Sequence, residues 1–137
     1  VADDRAATNE AVVRRIMSFI SAGTSEKVLD ELSDDILFEL PYAAAPMPSS
    51  YGKEVYAQMQ AQTFAMFNRF ALEPITFHAM ADPDDLIVEY RSDAEVKPTG
   101  KPYLNRYIGV FRFRDGKVVA WREFHNPSIV TEAFTPG

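Results

Sequence analysis

The chain is 137 residues long, the size of one domain, and folding at this length buries roughly two thirds of the unfolded chain's surface, so neither a metal nor a disulfide is needed to hold it together. Its 14 basic and 20 acidic residues give a net charge of −6, which repels phosphate backbones and acidic lipid, and the lack of cysteine removes thiol nucleophiles, thiolate-bound zinc and redox switching. At 47% hydrophobic residues the composition is that of a folded chain rather than a disordered one.

No run of about eighteen apolar residues occurs, and Val1-Ala2-Asp3-Asp4-Arg5 has neither the basic start nor the apolar core of a signal peptide, so the expectation is a cytoplasmic protein with no membrane association. From about Asp4 to Ala22, Val12, Val13, Ile16, Phe19 and Ile20 recur at helical spacing, and Gly23 can end that helix. Thr24 or Ser25 can cap a short second helix with Val28, Leu29 and Leu32, closed by Ser33-Asp34-Asp35 as a turn. A short strand, Ile36 to Leu40, precedes Pro41. The loop from Tyr42 to Ser50 holds two prolines beside apolar groups and is a candidate lid. Helix formers dominate from Gly52 to Phe67, with Tyr56, Met59, Thr63 and Phe67 on one stripe.

Beyond Arg69 the pattern becomes that of strands: Ala71 to Ala81, Leu86 to Ser92, Tyr103 to Arg114 and Val118 to Asn126, separated by segments rich in Asp, Pro and Gly. Helices first and a meander second read as an α+β domain, with a curved antiparallel sheet wrapped around the N-terminal helices. The expected organisation is one domain over residues 1–137: a helical part over about 4–67, a sheet over about 70–127 and a tail at 128–137.

Two registers are open to the last hairpin. A three-residue loop, Arg114-Asp115-Gly116, sets Phe113 against Lys117 and Tyr107 against Glu123, whereas a two-residue type I′ turn at Asp115-Gly116 sets Glu123 beside Ile108 and Arg106 as an ordinary ion pair. The first is favoured because it gathers Tyr103, Asn105, Tyr107, Trp121, Glu123 and His125 into one polar-aromatic wall, the composition of a ligand pocket. It leaves Arg106, Ile108, Val110, Arg112, Val118, Arg122 and Phe124 on the opposite face, where the apolar members call for a homodimer.

The segments Tyr103-Leu104-Asn105-Arg106-Tyr107, Phe111 to Val118, and Trp121-Arg122-Glu123-Phe124-His125-Asn126-Pro127 resemble the C-terminal half of SnoaL-like proteins, in the nuclear transport factor 2-like or ketosteroid isomerase-like superfamily. Pro41-Tyr42 and Gly52-Lys53-Glu54 fit the same pattern. The resemblance implies a cone-shaped α+β barrel of the cystatin-like type, a conical pocket between the sheet and the first and third helices, and dimerisation through the outer face of the sheet. It further implies isomerase, polyketide cyclase or dehydratase chemistry on a hydrophobic oxygenated small molecule, or binding of such a molecule without catalysis.

Glu123 resembles the acidic residue of the phenazine-pathway members, and the lack of a base at the end of the first strand, where Glu39 is the nearest candidate, separates the chain from steroid isomerases. The assignments are Glu123 as proton-transfer residue with Tyr107 and Asn105 orienting or stabilising the ligand oxygen, since a buried carboxyl and neutral donors suffice for enolisation. Tyr42, Tyr103, Trp121, His125, Tyr56 and Met59 are ligand-binding candidates. No metal and no cofactor are expected. Glu89 reads as an ion-pair partner of Arg106, and His78 has no acidic residue at metal-ligand spacing.

Overall fold

The protein's structure, a computed structural model, describes residues 4–44 and 47–137. Ala45 and Pro46, the middle of the candidate lid, lie outside the described residues, as do the first three residues.

Helix α1 (Arg5–Ser21) buries Val12, Val13, Ile16, Met17 and Ile20 along one stripe. It ends as its sequence requires: Gly23 sits at φ +77°, its N–H donates to Ile20 O at 3.1 Å, and Thr24 N–H donates to Phe19 O at 2.9 Å. A 3₁₀ segment (Ser25–Glu31) buries Val28 and feeds directly into β1 (Leu32–Glu39). Ser33-Asp34-Asp35 is therefore strand and not turn. Between Leu32 and Leu37 the pairing slips, which carries the acidic side chains to the outside before Ile36 and Phe38 return to the core.

The remaining elements are β2 (Ser50–Tyr51), α2 (Lys53–Ala65), β3 (Phe67–Ala79), β4 (Asp85–Val96), β5 (Pro102–Tyr103), β6 (Arg106–Arg114), β7 (Lys117–His125) and α3 (Pro127–Phe134). The sheet runs β2-β1-β7-β6-β4-β3, with β5 also on β4. Helix α1 packs on β3 and β4, and α2 on β1 and β3. The α+β class holds, but the cone-shaped antiparallel barrel does not. The sheet is open, with β2 at one edge and β3 at the other, and it is mixed because β1 lies parallel to β7. Parallel pairing of strands so far apart in the chain leaves no local signal. Among the described residues no helix is long and apolar enough to cross a membrane.

The last hairpin combines the two expected registers. Asp115 (φ 52°) and Gly116 (φ 78°) form a two-residue turn, and Arg114 pairs with Lys117, so the three-residue loop is wrong. Phe113 then pairs with Val118, but Arg112 pairs with Ala120, leaving Val119 as an extra residue. This bulge reverses the exchange of faces that the shorter turn imposes. Trp121, Glu123 and His125 end on the helix-facing side as expected, while Val118, expected outside, is fully buried.

The expected tail is helix α3. The Asn126 side chain caps it by accepting from Ser128 N–H at 3.0 Å, Pro127 occupies the first turn, and Ala133 and Phe134 pack inward, Phe134 against Phe67 at 5.7 Å between centroids.

Candidate active site

On the helix-facing side of the sheet, cross-strand rows set the chemistry. One row is aromatic: Tyr51, Phe38, Trp121 and Phe111 are in register across β2, β1, β7 and β6. The next holds Glu123, Gly109 and Val88, and the third His125, Tyr107 and Tyr90. Glu123 is thus opposite Gly109 and not, as expected, opposite Tyr107.

Gly109 gives no side chain to its row, and Tyr90 leans into the space. Its hydroxyl donates to Glu123 Oε1 and accepts from Trp121 Nε1–H at 3.3 Å. Tyr90 also stacks on Tyr107 at 5.1 Å between centroids. The second carboxylate oxygen of Glu123 has no hydrogen-bond partner, and it is not one of the enclosed unpartnered polar atoms among the described residues, which are Ser33 Oγ and His125 Nδ1. Burial pushes the Glu123 carboxyl up to about 7, the bond from Tyr90 offsetting part of the rise. Burial and then the Glu123 charge push Tyr51 up to about 12 and raise Tyr56 and Tyr90 further. The hydroxyls around the carboxylate thus remain donors at neutral pH.

Tyr107 and Asn105 belong to a neighbouring network. Asn105 is buried and spends both amide hydrogens, on Tyr103 Oη at 2.9 Å and Asn126 O at 3.0 Å. Tyr107 Oη lies 2.9 Å from Tyr103 Oη and 3.1 Å from Ser92 Oγ. Asn105 has no donor left for a ligand.

Of the other expected ligand contacts, Trp121 and Tyr56 are buried beside the carboxylate, their rings 6.1 Å apart, and Met59 packs against the same core. Tyr42 is elsewhere. It is exposed, meets Phe124 edge-on at 5.7 Å, and lines a groove of about 660 Å³ with Ile108, Phe124 and two further expected site residues, Tyr107 and His125. His125 is half-buried, and burial lowers its pKa, which favours the neutral imidazole.

No salt bridge joins Glu123 to Arg106 or Arg122. Arg106 approaches Glu89 at 4.0 Å, Glu89 also meets His78 at 2.7 Å, and Arg122 lies over the Phe124 ring. Among the described residues no cluster of three His, Asp or Glu side chains is placed to hold a metal ion.

Tyr90 and Gly109 escaped the sequence reading, although a single glycine among the large residues of β6 signals a close approach. The chain belongs to the SnoaL-like domain family, which matches residues 13–121, and so to the nuclear transport factor 2-like, or ketosteroid isomerase-like, superfamily. It is 28% identical over 131 residues to the Bacillus subtilis protein YesE, covering 89% of this chain and 84% of that one. The structure of a proposed isomerase from Bacillus subtilis superposes with a TM-score of 0.87 at 27% identity over 96% of each chain. A phenazine biosynthesis-related protein from Pseudomonas aeruginosa shares the fold with a TM-score of 0.81 at 20% identity, over 98% of this chain and 86% of that one.

Proposed function

We propose that the protein is a cofactor-independent enzyme of isomerase, cyclase or dehydratase type, in which Glu123 moves a proton on a hydrophobic, oxygenated small molecule. The observation that carries this is a carboxyl group enclosed by aromatic side chains, held at one oxygen by Tyr90 and unpartnered at the other. With its pKa raised to about 7, the group accepts a proton from a carbon beside a carbonyl and returns it at comparable cost near neutral pH. Tyr107 is the candidate donor to the developing oxyanion, and Asn105 acts by fixing Tyr103 beside it. One relative, named as a proposed isomerase, supports chemistry of this kind.

Deuterium uptake from heavy water by a panel of cyclic ketones and enones tests the reading without knowledge of the natural substrate. Glu123→Gln keeps the shape and the bond from Tyr90, so exchange should fall by about two or more orders of magnitude. Exchange at the parental rate overturns the acid-base role.

A second reading, a binding protein of the same fold, is favoured by the groove at Tyr42, whose lining joins Ile108 and Phe124 of the outer face to Tyr107 and His125. On that outer face Ile108 is 45% exposed beside Val110 and Phe124, and the proposed occupant is a second copy of the chain, giving a homodimer.

A further inference from the structure

Every inward position of β6 but one carries a buried ring: Tyr107, Phe111 and Phe113 flank Gly109. A Cβ at Gly109 would lie 2.7 Å from Phe111 Cε1, 2.9 Å from Tyr90 Cε1 and 3.1 Å from Tyr90 Oη. Its backbone is not left-handed, so the requirement for glycine is one of space. Tyr90 is in register with Tyr107, yet it reaches the carboxylate of the adjacent row by passing over Gly109. The N–H of Trp121 occupies a lone pair of its hydroxyl, which directs the hydroxyl hydrogen toward Glu123.

We propose that Tyr90, reaching through the gap left by Gly109, clamps one oxygen of Glu123 and leaves the other as the oxygen that exchanges a proton, which makes Tyr90 a positioning residue for this acid. The inference rests on the acid-base reading of Glu123 and adds how the acid is aimed. A free carboxylate spins between equivalent oxygens. One oxygen held from the side by a directed donor presents the other in a fixed direction, a condition for efficient proton transfer to carbon.

The groups whose titration Glu123 influences are Tyr51 on β2, Tyr56 on α2, Tyr90 on β4, Tyr103 on β5 and Tyr107 on β6. His125 follows two residues on. All five tyrosines have pKa values raised by burial and His125 is moved down by burial, so of these groups Glu123 is the one raised to about 7. The clamp is therefore readable in one carboxyl resonance.

In protein labelled with carboxyl-13C glutamate, the Glu123 signal is assigned by its loss in Glu123→Gln and followed through its titration. Tyr90→Phe keeps the ring and removes the bond that favours the charged form, so the midpoint should rise by about one pH unit. Gly109→Ala should displace Tyr90 and move the midpoint the same way. The double variant should titrate no higher than Tyr90→Phe alone, because both changes break one contact. A midpoint unmoved by Tyr90→Phe overturns the clamp, even where Glu123→Gln abolishes exchange, and this variant decides the matter if Gly109→Ala does not fold. Exchange untouched by Glu123→Gln defeats the acid-base reading whatever the titration does.

Discussion

Tyr107 stands opposite His125, and not opposite Glu123, because the two-residue turn at Asp115-Gly116 and the extra residue Val119 in β7 each move the pairing by one. That residue shifts the partner of every later side chain on β7 while restoring its face. It places Glu123 against the one position of β6 with no side chain, and the acid meets Tyr90 as a result.

The raised pKa of Glu123 predicts a pH-dependent stability of definite sign. The folded state binds this proton more tightly than the unfolded one, so the contribution is complete below about pH 4.5 and is lost as pH rises through about 7. The loss is on the order of 3 kcal/mol. Urea unfolding of the parent and of Glu123→Gln across this range should show the variant gaining relative stability up to about pH 7 and a constant difference above it. His125, whose pKa burial lowers, contributes in the opposite sense but is present in both proteins, so it drops out of the difference. Parallel curves would show that Glu123 titrates normally.

Helix α3 should be part of the folded unit. Phe134 packs on Phe67, and Thr99 Oγ1 donates to Ala133 O at 2.7 Å. Phe134→Ala should cost about 2 kcal/mol in urea unfolding, less than for a fully buried Phe because the ring is only partly buried. A change below about 0.5 kcal/mol, the usual scatter at surface sites, would mean that the helix is dispensable.

The outer face of the sheet gives the third expectation. The parent should sediment at twice the protomer mass at micromolar concentration, and Ile108→Glu, which adds charge at a half-exposed position, should reduce it to the protomer with an unchanged circular dichroism spectrum. A monomeric parent would leave the groove at Tyr42 to a small molecule.

Local signals were legible where one element decides its own fate. The spacing of Val12, Val13, Ile16 and Ile20 set the buried stripe of α1, and Asp115-Gly116 marked a reversal. What was lost depends on pairs distant in sequence. Ser33-Asp34-Asp35 has turn composition, but its backbone groups belong to a strand lying along β7, with Asp35 accepting from Arg114 at 2.7 Å. The faces of Glu123, Trp121 and His125 were readable from alternation; their partners were not, since a bulge leaves no mark in composition. Tyr90 needed two facts at once, its register with Tyr107 and the missing Cβ of Gly109. Helix α3 is different: Asn126-Pro127, followed by Ile129, Val130, Ala133 and Phe134 at helical spacing, carried a start signal and an apolar stripe that the reading as a tail ignored.

An open sheet must also keep other chains from adding strands to it. At one edge β2 offers only two residues, too few to seed such an addition. The other edge, β3, is thirteen residues long, and there Pro74 removes a donor while the pairing slips between Phe67 and Arg69 and again between Pro74 and Thr76. The interruptions break up the row of free backbone groups on that side, and Arg69 and Glu73 add charge along it. Replacing Pro74 by a β-branched residue would regularise the strand and lengthen the template that an edge offers to other chains, a hazard that closure into a barrel would have removed altogether.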